Sequence, residues 1–373
     1  MLLNEEQRLL QQSIAEFLKD QCPVEDIRTL RDNPTDCGYK PELWQAMVEL
    51  GVPAVSLSEE YGGLGFGYLG LGAIMQDMGR HLAACPLFSS VVLAANIIEQ
   101  CASSEQQSSW LESIASGEAN YAVAIDEGRH FAPQNTALCV ESNTLNGKKQ
   151  FVLEASGAQY LLILIRESGN SGDQEGLRWL RLDASHPGIK IQRRHLMDGR
   201  NACDVTFENC PIPSEAWLGD GPTTWSSIEY AFDKATIVLA AEMLGGAREL
   251  LERTVAYLND RVQFGVKIGS FQALQHRCAQ MLCQLEMAQS SLQKGLASID
   301  YGVKDLAGLA SQIKYMANEC YLHLSNEAVQ MHGGMGVTDE VEIGLFLKRA
   351  RVCQQILGDS SYHKHRFART LGI

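Results

Sequence analysis

The hydrophobic period of this chain changes twice. Up to about Ser116, and again after Gly221, apolar residues recur at helical spacing; between about Gly117 and Trp217, short β-rich runs (YAVAI, FVL, YLLILI, WLRL, DVTF) alternate with Gly, Asn, Asp and Pro. A period near 3.6 presents one face of a helix and a period of 2 presents one face of a strand. The order is therefore helices, sheet, helices, with no βαβ alternation. A chain of 373 residues exceeds what one hydrophobic core supports, so two or three domains are expected. The expected class is α+β multidomain, with an N-terminal helical domain (1–116), a middle antiparallel β domain (117–221) and a C-terminal four-helix bundle (222–373).

Local signals sharpen that outline. Asn4 with Gln7 three residues on, followed by Leu9, Leu10, Ile14, Phe17 and Leu18, reads as a capped amphipathic helix. The same pattern returns at Leu43 to Leu50, Tyr68 to His81 and Ser89 to Ile98. Glu167 to Gly176, rich in Ser, Gly and acidic residues, reads as a hairpin loop. Ile237, Leu244, Leu251 and Leu258 stand seven apart, with Ala241 and Val255 between them, and imply one long buried-stripe helix. Further helices are expected at Phe271 to Tyr301, Asp305 to Met331 and Val341 to Leu357, packed as an antiparallel bundle.

Charge and cysteine usage restrict the function. A formal charge of -14 repels phosphate backbones, because nonspecific nucleic-acid affinity comes from cations that displace counterions, so no nucleic-acid partner is expected. Eleven scattered cysteines without a CxxC pair read as reduced thiols. No run of eighteen apolar residues suggests a membrane span, and the N-terminus lacks the pattern of a signal or transit peptide, so a cytoplasmic location is expected. His363 and His365 flank Lys364 without a neighbouring ligand set and read as a solvated basic helix end, not a metal site. There is no Gly-x-Ser-x-Gly elbow, and the GFGYLGLG glycines follow a turn, not a buried strand, so neither a hydrolase nor a nicotinamide fingerprint is supported.

Four segments at corresponding places over nearly the whole chain resemble the acyl-CoA dehydrogenase family: SEEYGGLGFGYLGLGAIMQDMGR, LNGKKQF, DRVQFGVKIGSFQALQHRCAQM and QMHGGMGVTDEVEIGLFLKRA. The resemblance implies FAD as cofactor, an acyl-CoA substrate, an electron-transferring flavoprotein as acceptor and an oligomer of like or related subunits. It also implies that Arg261, Gln263, Phe264, Gln272, Gln330, Gly333 and Gly334 contact FAD bound mainly by a neighbouring subunit. A guanidinium offers paired charge-assisted bonds to a pyrophosphate, and glycines permit close backbone approach.

The family reaction removes an α proton to a carboxylate base while the β hydrogen leaves as hydride to the flavin. The family's base, a Glu in a Glu-Gly-Thr segment, corresponds here to Gly358 in ILGDSSYHKHR, with Asp359 beside it. The alternative helix position corresponds to Ala235, and Asp233 and Glu242 are the nearest acids on that helix. Glu242 and Asp359 are thus the candidate bases, each with a structural alternative: an interhelical carboxylate and a helix cap. The family's Thr-Glu-Pro-x-x-Gly-Ser-Asp segment reads AVAIDEGRHFAP here, and its Trp-Ile-Thr flavin wall reads Phe151, Val152 and Leu153.

Segments that in the family serve the neighbour's FAD are kept, while those serving the chain's own site have drifted. Three readings follow: a dehydrogenase subunit, alone or paired with a base-bearing relative; a non-catalytic partner subunit; and a flavin oxidase or monooxygenase on the same scaffold.

Overall fold

The computed structural model describes residues 3–373. They divide into two compact units, one of residues 3–27, 68–83 and 236–373 and the other of Arg28–Gly67 and Ala84–Ala235. No helix among the described residues is long and apolar enough to cross a membrane.

Helices α1 (Glu5–Gln21), α2 (Asp26–Asp32), α3 (Pro41–Glu49), α4 (Gly67–Arg80), α5 (Ala95–Cys101) and α6 (Ser104–Ala115) form the N-terminal third. The Asn4–Gln7 capping box is present at α1, and Ser103 with Gln106 forms a second at α6. The expected helix over Ser89 to Ile98 is two pieces, a π-helix at Leu87–Ala94 that runs on into α5. Side chains bond to helix carbonyls along this stretch, Ser89 Oγ to Pro86 O at 3.3 Å and Asn96 Nδ2 to Val92 O at 2.5 Å, the kind of insertion that accompanies wide turns.

The β unit holds strands β1 (Tyr121–Ala124), β2 (Val140–Glu141), β3 (Thr144–Leu153), β4 (Tyr160–Arg166), β5 (Leu177–Asp183), β6 (Ile189–His195) and β7 (Asn201–Pro211). They form one sheet in the order β1-β4-β5 and another in the order β2-β3-β7-β6. Every pairing is antiparallel except β1 with β4, which is parallel. That exception follows from connectivity: β2 and β3 lie in the other sheet, so the chain returns to β1 by a long crossover and not a hairpin. The loop after Arg166 joins β4 to its antiparallel neighbour β5, as expected. Leu145, Val152, Val205 and Phe207 from one sheet pack with Leu161, Ile163, Leu180 and Leu182 from the other.

Helix α7 (Trp225–Asp260) is followed by the two-stranded hairpin β8 (Val262–Gln263) and β9 (Val266–Lys267). Helices α8 (Gln272–Asp300), α9 (Ala307–His332) and α10 (Ile343–Gln355) complete the four long helices, and the short α11 (Ser360–Thr370) is appended. The heptad-spaced Ile237, Leu244, Leu251 and Leu258 are buried; Val255, which the sequence places with them, is 38% exposed because its position has turned off the stripe by the last turns of α7.

Two devices lock α4 to this bundle. A side chain at Gly79 would lie 1.9 Å from Glu242 O, and one at Gly245 would lie 2.0 Å from Gln76 O, so α4 and α7 cross nearly backbone to backbone. Asp300, at the end of α8, accepts from Tyr68 N at 2.6 Å and Leu69 N at 3.0 Å, satisfying donors that the start of α4 leaves open.

Candidate functional site

The hairpin after α7 grows directly out of the helix. Arg261 N still donates to Tyr257 O at 2.8 Å, while Arg261 O already accepts from Ile268 N at 2.9 Å. Val262 pairs with Lys267 and Gln263 with Val266, leaving Phe264 and Gly265 at the tip with φ of 55° and 77°. Positive φ at both central residues is what a two-residue hairpin of the right twist requires.

The result is an exposed projection. Phe264 is 91% exposed and meets Phe271 edge to face at 6.2 Å, and Gln263 and Gln272 are also exposed. The exposed Arg261 guanidinium has no hydrogen bond or ion pair among the described residues. Phe264 holds a left-handed φ that a bulky residue adopts at a cost, and leaves its ring almost wholly exposed.

The second retained segment ends α9. Gln330 is exposed, His332 is buried, and Gly333 and Gly334 are exposed with no atom within 4 Å of where a side chain would begin. The Tyr257 ring stacks on His332 at 4.2 Å, and Tyr257 Oη donates to His332 O at 3.4 Å. His332 Nδ1 donates to Ala328 O at 2.7 Å, which leaves Nε2 as its acceptor, and burial holds its basicity below the ordinary imidazole value. Tyr257 lies one turn before Arg261 and His332 just before Gly333, so one stacked pair joins the roots of the hairpin and the glycine turn. His332 stands within the QMHGGMG motif, whereas no sequence pattern marks Tyr257.

The candidate bases stand elsewhere in the bundle. Glu242 is 3% exposed, and Arg349 of α10 donates Nε to its Oε1 at 2.8 Å and Nη2 to its Oε2 at 3.0 Å. Asp359 Oδ1 accepts from Tyr362 N at 2.8 Å and caps α11. Gly358 has φ of 104°, and a side chain there would begin 2.4 Å from the Tyr362 ring. Ala235 and Asp233 are buried on α7.

His363 is not at a solvated helix end as the sequence suggested: it is 1% exposed, with Nε2 3.0 Å from Leu357 O, and burial pushes its pKa down to about 3. Its partner in the sequence pattern, His365, is exposed. The difference arises because positions two apart on a helix point in different directions, and α11 turns the first inward against α9.

In the β unit, Phe151 sits in a register shift between Lys149/Val205 and Val152/Cys203 and has φ of 54°. Lys149, the last regularly paired residue before this bulge, stands opposite the buried Val205 and is itself buried. The buried Lys149 Nζ donates to Ile125 O at 2.9 Å, Glu127 Oε1 at 2.7 Å and Thr136 Oγ1 at 3.5 Å, and Gln150 N donates to Asp126 O at 2.7 Å. Both roots of the loop from Asp126 to Thr136 are thereby fixed beside Phe151, while Arg129 and His130 at its tip remain exposed. Burial raises Asp126 to about 7 and lowers Lys149 to about 8.

An exposed guanidinium with no partner among the described residues, on a hairpin whose root is joined through the Tyr257–His332 stack to an open glycine turn, suits a long polyanion such as a dinucleotide pyrophosphate. Family models of the acyl-CoA dehydrogenase N-terminal, middle and C-terminal domains match residues 4–118, 125–210 and 224–372. The chain belongs to the acyl-CoA dehydrogenase family. It is 28% identical to acyl-CoA dehydrogenase IpdE2 of Mycolicibacterium smegmatis over 357 residues, covering 95% of this chain and 96% of the relative. Among solved structures it is similar to a variant of the Tcur3481–Tcur3483 steroid ACAD, with a TM-score of 0.86, 25% identity and coverage of 100% and 99% of the two chains. It also shares the fold of the ChsE4–ChsE5 complex from Mycobacterium tuberculosis, with a TM-score of 0.88, 22% identity and coverage of 100% and 98%.

Proposed function

We propose that this chain is a subunit of an FAD-dependent acyl-CoA dehydrogenase that lends its hairpin and glycine turn to a flavin shared with a related subunit, and that the related subunit carries the base. The observation that carries this reading is the fate of the base positions. Gly358 has no carboxylate, both Glu242 oxygens are held by Arg349, and Asp359 caps a helix.

When bound, FAD supplies the ring that accepts hydride in α,β-dehydrogenation of an acyl-CoA thioester. The groups of this chain bind and orient. Arg261 neutralises the pyrophosphate, Gly333 and Gly334 let backbone approach it, and Gln263, Gln272 and Gln330 offer amide contacts around it. Phe264 and Phe271 cover it from water. Phe151 offers one aromatic face to a flavin, but Leu153 brings no hydroxyl. The exposed apolar residues Leu282 and Met287 on α8 are consistent with burial against another subunit.

The substrate class favoured is a bulky acyl-CoA such as a steroid side-chain thioester, and the likeness to a steroid ACAD supports it. The pairing of two differently named chains in the ChsE4–ChsE5 complex supports a heteromer. An electron-transferring flavoprotein is the acceptor in this reading.

Co-expression with a base-bearing relative encoded beside this chain tests the proposal. Flavin content and acyl-CoA-dependent reduction should arise only in the complex, and the reduced complex should pass electrons to an electron-transferring flavoprotein faster than to oxygen. Fast reoxidation by oxygen would favour an oxidase instead.

A further inference from the structure

We infer that Lys314 is a positioning residue that sets the Leu357–Asp359 turn in a conformation open only to glycine at 358, so that no single substitution restores a carboxylate there. The inference rests on the reading that this subunit carries no base of its own.

Lys314 lies on α9 in line with Ala310, Ile313, Ala317, Tyr321 and Leu324, a stripe in which every member is buried. Its Nζ donates to Asn318 Oδ1 at 3.0 Å, Cys353 O at 2.9 Å and Gly358 O at 3.2 Å. Three acceptors match the three donors of an ammonium, so the side chain ties the end of α10 and the turn after it to α9. Burial opposes that charge and pushes the amine down to about 7, with Asp359 and Cys353 acting in the opposite direction.

The neighbouring carbonyls of the turn are engaged as well. His363 Nε2 donates to Leu357 O at 3.0 Å, and His363 N donates to Asp359 O at 3.1 Å. Three successive carbonyls are therefore held from α9 and α11. This arrangement places Leu357 at φ of 56° and Gly358 at φ of 104°. A side chain at 358 would be strained by that backbone and would also begin 2.4 Å from Tyr362 Cδ1. The absence of the family carboxylate is thus built into Lys314, His363 and Tyr362 together; it is not a single-residue loss.

A double-mutant cycle tests the coupling on the purified full chain, with urea unfolding midpoints as the readout. Gly358→Ala should lower the midpoint, and the drop should be at least halved in a Lys314→Met background, where the turn is released to relax. Equal drops in the two backgrounds overturn the inference. If Lys314→Met does not fold, Lys314→Gln, which keeps a donor for Gly358 O, carries the same cycle with a smaller coupling. In a second arm, Gly358→Glu in the otherwise unmodified chain should lower the urea midpoint at least as far as Gly358→Ala, and a midpoint equal to that of the unmodified chain overturns the inference. Turnover by the unmodified chain alone would instead remove the base-free reading, and the cycle would still decide the role of Lys314.

Discussion

Arg349 grips both carboxylate oxygens of Glu242 inside the helical unit, across 107 residues of sequence. A buried pair of this kind stabilises little over an apolar isostere, but removing one partner leaves the other charged in a low-dielectric setting. Glu242→Gln and Arg349→Met should each lower unfolding stability by about 3–5 kcal/mol. Chemical denaturation of the two variants checks this. An amide variant as stable as the unmodified chain would show that Glu242 is not held in this pair.

Arg261 gives the opposite pattern. Its side chain is exposed, so Arg261→Ala should change folding stability by no more than about 0.5 kcal/mol. Flavin retention should fall by about ten- to a hundredfold, as for the loss of a charged hydrogen-bonding partner worth ~1.5–3 kcal/mol. The ratio of flavin to protein absorbance after gel filtration of the complex reads this directly. Unchanged flavin content would remove Arg261 from the site.

Tyr257 offers an intermediate case, because it touches no ligand in this account and acts through His332. Tyr257→Ala should loosen the hairpin relative to the glycine turn and weaken flavin binding, whereas Tyr257→Phe, which keeps the stacked ring, should retain most of it. Equal flavin affinity in the alanine and phenylalanine variants would show that the stack does not position the site.

The buried imidazole of His363 predicts acid sensitivity. Its folded pKa is depressed from 6.5 to about 3, first by burial and then by the Lys314 charge, so between those values the unfolded chain binds more protons than the folded one. Stability should therefore fall as pH drops from about 6.5 towards 3, by up to one proton's slope. His363→Gln should be less stable near neutrality and should show a shallower acid limb in unfolding midpoints taken from pH 7 to 4. An unchanged slope would mean that His363 does not titrate this way.

Much of this was legible locally. The helix–sheet–helix order, the capping box at Asn4 and the hairpin loop after Arg166 are each set by neighbours in sequence. Long-range facts were not legible in the same way: the parallel β1–β4 pair and the Arg349 partner of Glu242 join segments that no local pattern links. Val255 and His363 misled because period alone does not reveal where a helix's neighbours stop or begin. Lys314 had a visible signal, a lone cation at a core position of the α9 stripe, which marks a buried amine in need of acceptors.

The central claim is that this subunit contributes a cation and a glycine turn to a shared flavin without supplying the base. Turnover and flavin content of the chain purified alone, measured with a bulky acyl-CoA and an artificial electron acceptor, test it most directly. The account predicts little bound flavin and no turnover until the base-bearing partner is added. Full flavin occupancy with sustained turnover by the isolated chain would contradict it.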